Sequence, residues 1–153
     1  MAAGALYFKM KPGLAHREPI AIHEAGHFIA HIFFGHRVES AEVGEEYGYC
    51  KLRAQDVDPF DYIIALCAGK AAVDRWYGWK RPGDEENWRK SKDHAMAYRA
   101  ALKVSGDDHE SAALLMQWAE KRADVIVKER WSPLEQLAHA LVEKGKLTVR
   151  QSR

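Results

Sequence analysis

Cysteine is scarce in this chain: there are two, Cys50 and Cys67, and no C-x-x-C pair. That excludes a disulfide scaffold or a thiolate zinc knuckle and leaves two reduced, half-buried thiols, as expected of an intracellular, cytoplasmic protein. No run of eighteen apolar residues occurs, so no segment qualifies as a membrane span. The opening MAAGALYFKMKPGLAHRE lacks the basic start and long apolar core of a signal peptide. A Gly-x-x-x-x-Gly-Lys phosphate loop is also missing, so any energy-dependent unfolding of a substrate would need another chain. Neither sign of charge dominates, with 23 basic against 22 acidic residues interspersed, which removes the electrostatic reason to expect nucleic acid. There are no internal repeats and no low-complexity tracts. At 153 residues the chain reads as one domain, 1–153, with enough length for a real core.

What the chain does have is the stretch Pro19 to Gly35, PIAIHEAGHFIAHIFFG, which contains His23-Glu24-Ala25-Gly26-His27. Residues four apart share one face of a helix, so both imidazoles can grip one zinc ion while Glu24 reaches a metal-bound water. The stretch has a proline suited to a first helical turn and a glycine, Gly35, where a C-terminal cap belongs. On a helical projection His23, Glu24, His27 and His31 gather on one side. Ile22, Ala25, Gly26, Ile29, Ile32 and Phe33 cover the remainder. Two histidines and a glutamate buried without partners would cost about 1–3 kcal/mol per unsatisfied group. The polar stripe therefore faces a cavity and chemistry.

The rest of the chain reads as mainly α, with one small β-hairpin. Residues 1–17 form an extended N-terminal arm with a short strand around Leu6 to Met10. Arg37 to Val43 and Tyr47 to Arg53 alternate across Gly44-Glu45-Glu46 as a hairpin whose edge suits strand addition by a peptide. Asp58-Pro59-Phe60-Asp61 opens a helix running to Gly78, and its small face of Ala65, Ala68, Gly69, Ala71 and Ala72 is the natural partner of the first helix. After the loop Trp79 to Asp84, with Asp84 as cap, a single helix is expected over Glu85 to Val104. Another follows over Glu110 to Arg130, with Leu114, Leu115, Trp118, Ala119, Val125 and Ile126 inward. Ser132-Pro133-Leu134-Glu135 reads as a capping box starting Pro133 to Glu143, which Gly145 stops. Thr148 to Gln151 repeats a cap signature.

A catalytic zinc takes three protein ligands and keeps one position open. The metzincin continuation is excluded because Ala30 and Phe33 stand where a glycine and a histidine would be required. His31 lies one turn past His27 and fits a packing or supporting role better than ligation. From the residues alone, Asp93, Asp74, Glu85 and Glu86 are equal candidates for the third position.

The order of several short segments is similar to the peptidase domain of FtsH-type ATP-dependent zinc proteases. They are His-Glu-Ala-Gly-His and its apolar helix, then Ala68-Gly69-Lys70-Ala71-Ala72-Val73-Asp74 with Gly78. Asp93 with Ala97 four residues on comes next, and Leu141-Val142-Glu143-Lys144 with Leu147-Thr148 comes last. The resemblance spans Ile20 to Gln151. It implies a helical, zincin-like peptidase domain with Zn2+ held by His23, His27 and Asp93. In that reading Glu24 activates the zinc-bound water and polypeptide is the substrate. Lys92 replaces the asparagine that the family places before this aspartate, and the segment between the first helix and Asp58 is shorter than usual. The domain is read as stand-alone, with a homo-oligomer or a separate ATPase as the partner left open. Rival readings are a non-catalytic, metal-stabilised interaction module and a small regulatory H-E-x-x-H peptidase that cuts a repressor.

Overall fold

The computed structural model describes residues 17–150, and the expected N-terminal arm lies outside them except for Arg17, which already belongs to the first helix. That helix, α1 (Arg17–Phe33), starts two residues before Pro19. Pro19 sits in the first turn, where backbone N–H groups have no helical partner to lose. The helix ends in a paired cap. Gly35, at φ 77, lets its own N–H bond the Ile32 carbonyl (3.0 Å) and the His36 N–H bond the His31 carbonyl (2.9 Å).

Two strands follow, β1 (Val38–Val43) and β2 (Gly48–Leu52), paired antiparallel across a tight connection. The sheet has a third member that local pattern does not announce. Lys146–Thr148 forms β3 on the other side of β1, giving the order β2-β1-β3 where only a hairpin was expected. Thr148 thus pairs with Ser40 instead of capping a helix.

Helix α2 (Pro59–Tyr77) begins and ends as its sequence dictates. Asp58 accepts from the N–H groups of Phe60 and Asp61, Pro59 occupies the first turn, and Gly78 closes it at φ 79. Its small face packs on α1 so closely that a Cβ at Gly26 would lie 2.5 Å from the Ala68 carbonyl oxygen and 2.8 Å from the Ala72 Cβ. Only glycine fits that crossing.

The helix expected over Glu85 to Val104 is two helices, α3 (Asp84–Lys90) and α4 (Lys92–Val104), separated at Ser91. Ser91 is extended (ψ 156), and its hydroxyl oxygen accepts from the His94 N–H at 3.1 Å, a side-chain cap that competes with helix continuation. Asp84 does not cap α3. It binds Arg81, and left-handed Gly83 precedes the helix.

Helix α5 (His109–Glu129) is capped by Asp108, and its expected inward face is met in part, with Ala119 and Ile126 buried and Leu115 packed against the core. Ala112, Met116, Ala119, Ala123, Ile126 and Val127 are buried, whereas Leu114 is 62% and Trp118 45% exposed. Close helix contact selects alanine for the seam and leaves the bulky residues at the rim, where Trp118 meets Phe60 edge-on. Helix α6 (Trp131–Lys144) starts two residues before Pro133 and makes no side-chain cap bond, so the Ser132–Glu135 capping box does not form. Gly145 ends it, at φ 77.

The fold is thus mainly helical, with one contiguous core. Helix α1 runs through it, touching α2, α5, α6 and both strands of the hairpin. Much of the core is alanine, including Ala21, Ala25, Ala68, Ala72 and Ala97 at 0% exposure. Among the described residues no helix is long and apolar enough to cross a membrane. Cys67 is buried, Cys50 is half-buried, and both are free.

Candidate metal centre

Three elements converge at the polar face of α1. His23 and His27 stand one turn apart, with their rings edge to face at 4.6 Å. Asp93, in the first turn of α4, reaches them because the break at Ser91 starts that helix beside α1. The Nε2 atoms of His23 and His27 are 3.0 Å apart, and each lies 3.0 Å from Oδ2 of Asp93. These three form the group among the described residues that can hold a metal ion.

The donor chemistry fits a cation. Nδ1 of His27 lies 2.8 Å from the Ala65 carbonyl oxygen, so it carries the hydrogen and leaves Nε2 with a lone pair. Nε2 of His27, Nε2 of His23 and the carboxylate oxygen then form a triangle whose three edges would need three hydrogens between them. One central cation satisfies all three atoms at once. Ligands of a tetrahedral ion with bonds of about 2.0–2.1 Å stand about 3.3 Å apart, near the observed separation. In the metal-free protein a proton substitutes. Burial works to lower the His27 pKa, but the Asp93 hydrogen bond and charge, then Glu24, carry it up to about 9. Burial would raise Asp93, yet hydrogen bonds from His23 and His27 hold its carboxyl well below the usual range.

Glu24 is buried between the triad and strand β2. A Cβ at Gly48 would sit 2.8 Å from its Cγ and 3.0 Å from its Oε2, so glycine lets the strand backbone lie against the carboxylate. Desolvation raises the Glu24 pKa, the imidazoles of His27 and His23 lower it, and Asp93 raises it, with a net rise. Glu24, the triad, β2, Tyr62 and Met96 line one cavity of about 630 Å³.

The remaining candidates are engaged elsewhere. Asp74 pairs with Lys70 at 2.7 Å, Glu85 with Arg89 at 3.6 Å, and Glu86 with Lys90 at 2.8 Å. His31 is buried with its Nδ1 2.9 Å from Nδ1 of His36. Burial, then the neighbouring His27 and His36, push its pKa down to about 3, so it is a neutral packing residue.

Sequence reasoning gave the small face of α2 no role beyond packing, yet two of its residues build the site. Ala65 supplies the carbonyl that orients His27. Gly69 makes room for both rings, since a Cβ there would lie 2.6 Å from Nε2 of His27 and 2.8 Å from Nε2 of His23. No signal marked Ala65, because the contact is a backbone oxygen. The lone glycine within an alanine run was a signal for Gly69.

No protein-family model matches the chain, and no curated protein matches it.

Proposed function

We propose that the chain is a zinc-dependent metallopeptidase of FtsH-like type that hydrolyses peptide bonds. The observation that carries this reading is the 3.0 Å triangle of His23 Nε2, His27 Nε2 and Asp93 Oδ2, with the Glu24 carboxylate in the same cavity. Two imidazoles and one carboxylate suit zinc with an open position. Zinc, when bound, supplies Lewis acidity and makes a nucleophile available at neutral pH. Glu24 accepts the proton of the attacking water and returns it to the leaving amine. Ala65 keeps His27 in the tautomer whose Nε2 faces the site.

Strand β2 supports a polypeptide substrate. Among the described residues it is an edge strand, and the bond from the Gly44 N–H to the Tyr47 carbonyl (2.8 Å) sets the alternation that turns the backbone groups of Gly48 and Cys50 away from β1. An extended peptide adds there as a further strand, beside Glu24. A purely structural metal site has no use for a buried carboxylate beside it and a cavity of this size. The family likeness rests on the four short segments and on the packing of the Gly69 segment against the metal helix.

Glu24→Gln is the deciding variant. Zinc content measured on the purified protein should stay near one per chain, while cleavage of casein or a peptide library falls at least about a hundredfold, the scale of a lost general base. Parental turnover in this variant would refute the assignment of Glu24. A parent chain that takes up zinc but cleaves nothing would leave a metal-stabilised module instead.

A further inference from the structure

We propose that the Tyr62 hydroxyl is the hydrogen-bond donor that holds the negative oxygen formed on the substrate carbonyl during peptide hydrolysis, an assignment that rests on the hydrolase reading above. Tyr62 lies on α2 one turn before Leu66, with which it lines the triad cavity, and Ala65 and Gly69 continue the same stripe at three- and four-residue spacing. One helical face therefore orients His27, makes room for both imidazoles and presents a phenol to the same space.

The ring is half-buried and packs against the hydrophobic core, which fixes its direction. Its hydroxyl bonds no other described residue, whereas those of Tyr47 and Tyr98 are engaged by Glu42 and His109. Burial, and after it the charge of Asp93, raise the Tyr62 pKa, so the phenol remains a protonated donor within electrostatic reach of the triad. The other side-chain donors of the cavity are committed, weak or exposed to solvent. Ser91 donates to the Trp88 carbonyl, His31 is bonded to His36, Lys51 is paired with Glu39, and burial drives the Cys50 thiol up to about 12. Lys92 and Tyr49 line the cavity too, but both are exposed to solvent, and Tyr49 lies on strand β2 rather than on the helix that orients His27.

The step balances without a further reactant. The water oxygen bonds the carbonyl carbon as its proton passes to Glu24, and the carbonyl electron pair moves onto oxygen. Tyr62 donates a hydrogen bond to that oxygen and keeps its proton. When the pair returns, the carbon–nitrogen bond breaks and Glu24 delivers its proton to the amine. A donor present only where charge develops lowers the barrier without tightening substrate binding.

The test is Tyr62→Phe in the zinc-loaded chain, with Lys92→Gln beside it. Phe keeps the ring and loses only a hydroxyl that bonds no other described residue, so thermal melting and zinc content should match the parent. The expected result is a fall in kcat of about a hundred- to a thousandfold with KM within about twofold. Affinity for a phosphinic peptide, whose tetrahedral oxygens mimic the charged state, should fall at least about tenfold. Parental kcat and phosphinic affinity in Tyr62→Phe would overturn the assignment, as would a loss that appears in Lys92→Gln instead. A parent chain that neither cleaves peptides nor binds the phosphinic peptide fails earlier, refuting the hydrolase reading and Tyr62 with it.

Discussion

Gly69 on α2 faces His27 on α1 with no room for a methyl group, since a Cβ there would stand 2.6 Å from the Nε2 that points at Asp93. The same Cβ would be 2.7 Å from Cε1 of His23. The contact couples helix packing to the donor triangle, because whatever separates the helices also moves the rings.

Gly69→Ala should therefore weaken zinc binding at least about tenfold, with the rings pushed off their 3.0 Å triangle. Gly26→Ala, which meets the Ala68 backbone instead, should cost about 1–3 kcal/mol of stability. Zinc titration and urea unfolding of the two variants separate these effects. Parental zinc affinity in Gly69→Ala would mean that the rings move aside freely.

The ligand set is checked by zinc titration of single alanine variants. His23→Ala, His27→Ala and Asp93→Ala should each lose measurable affinity, since each removes one corner of the triangle. Asp74→Ala, Glu85→Ala, Glu86→Ala and His31→Ala should bind as the parent does, because their side chains pair elsewhere. Loss in one of these four, with Asp93→Ala unaffected, would remove Asp93 from the site.

Ser91 decides where α4 begins and hence where Asp93 stands. Ser91→Ala removes the acceptor of the His94 N–H and should cost about 1 kcal/mol of stability, with zinc affinity falling alongside. Ser91→Asp, which keeps a capping oxygen, should restore both. Unchanged zinc affinity in the alanine variant would show that packing alone sets the helix start.

Stability should fall with acid through His31. Its folded-state pKa of about 3 lies below the ordinary value of about 6.5, because burial disfavours the charged ring and His27 and His36 repel it. The unfolded chain takes up a proton below about pH 6.5 and the fold does not, so this contribution is complete above 6.5 and drains away toward pH 3. The urea midpoint of chelator-treated protein should drop between pH 7 and pH 5, and the drop should be smaller in His31→Gln. His27, raised to about 9, works the other way, its contribution being lost only above 6.5. An equal drop in parent and variant would assign the acid sensitivity to other groups.

Legibility followed the range of the interaction. The cap of α2 is a contact between Asp58 and residues two and three positions on, and the closing glycines Gly35, Gly78 and Gly145 act within one turn. Each could be read from a short window. Strand β3 could not, because its three residues pair with β1 about a hundred positions earlier and have too little length for an alternation of their own. The inward face of α5 was read only in part: Ala119 and Ile126 face in as expected, but periodicity marks a stripe without weighing size, and the close helix seam takes Ala112 and Ala123 and leaves Leu114 and Trp118 outside. The capping box at Ser132 was overridden when α6 began at Trp131, so that Ser132 lies inside the helix.

By itself the sequence determined the pair His23 and His27 with Glu24 between them, because helical geometry places residues four apart on one face whatever surrounds the helix. It also determined that this helix would be central, since its other faces are apolar. Only the tertiary structure decided which carboxylate joins them, for Asp93 is 66 residues from His27 and equivalent in type to Asp74, Glu85 and Glu86. Likewise only packing brought the Ala65 carbonyl and the empty space at Gly69 to the rings and set Tyr62 on the wall of the same cavity. The reason is that a donor triangle depends on how three helices cross, and the crossing is set by side-chain volumes summed over the whole core, which no local window contains.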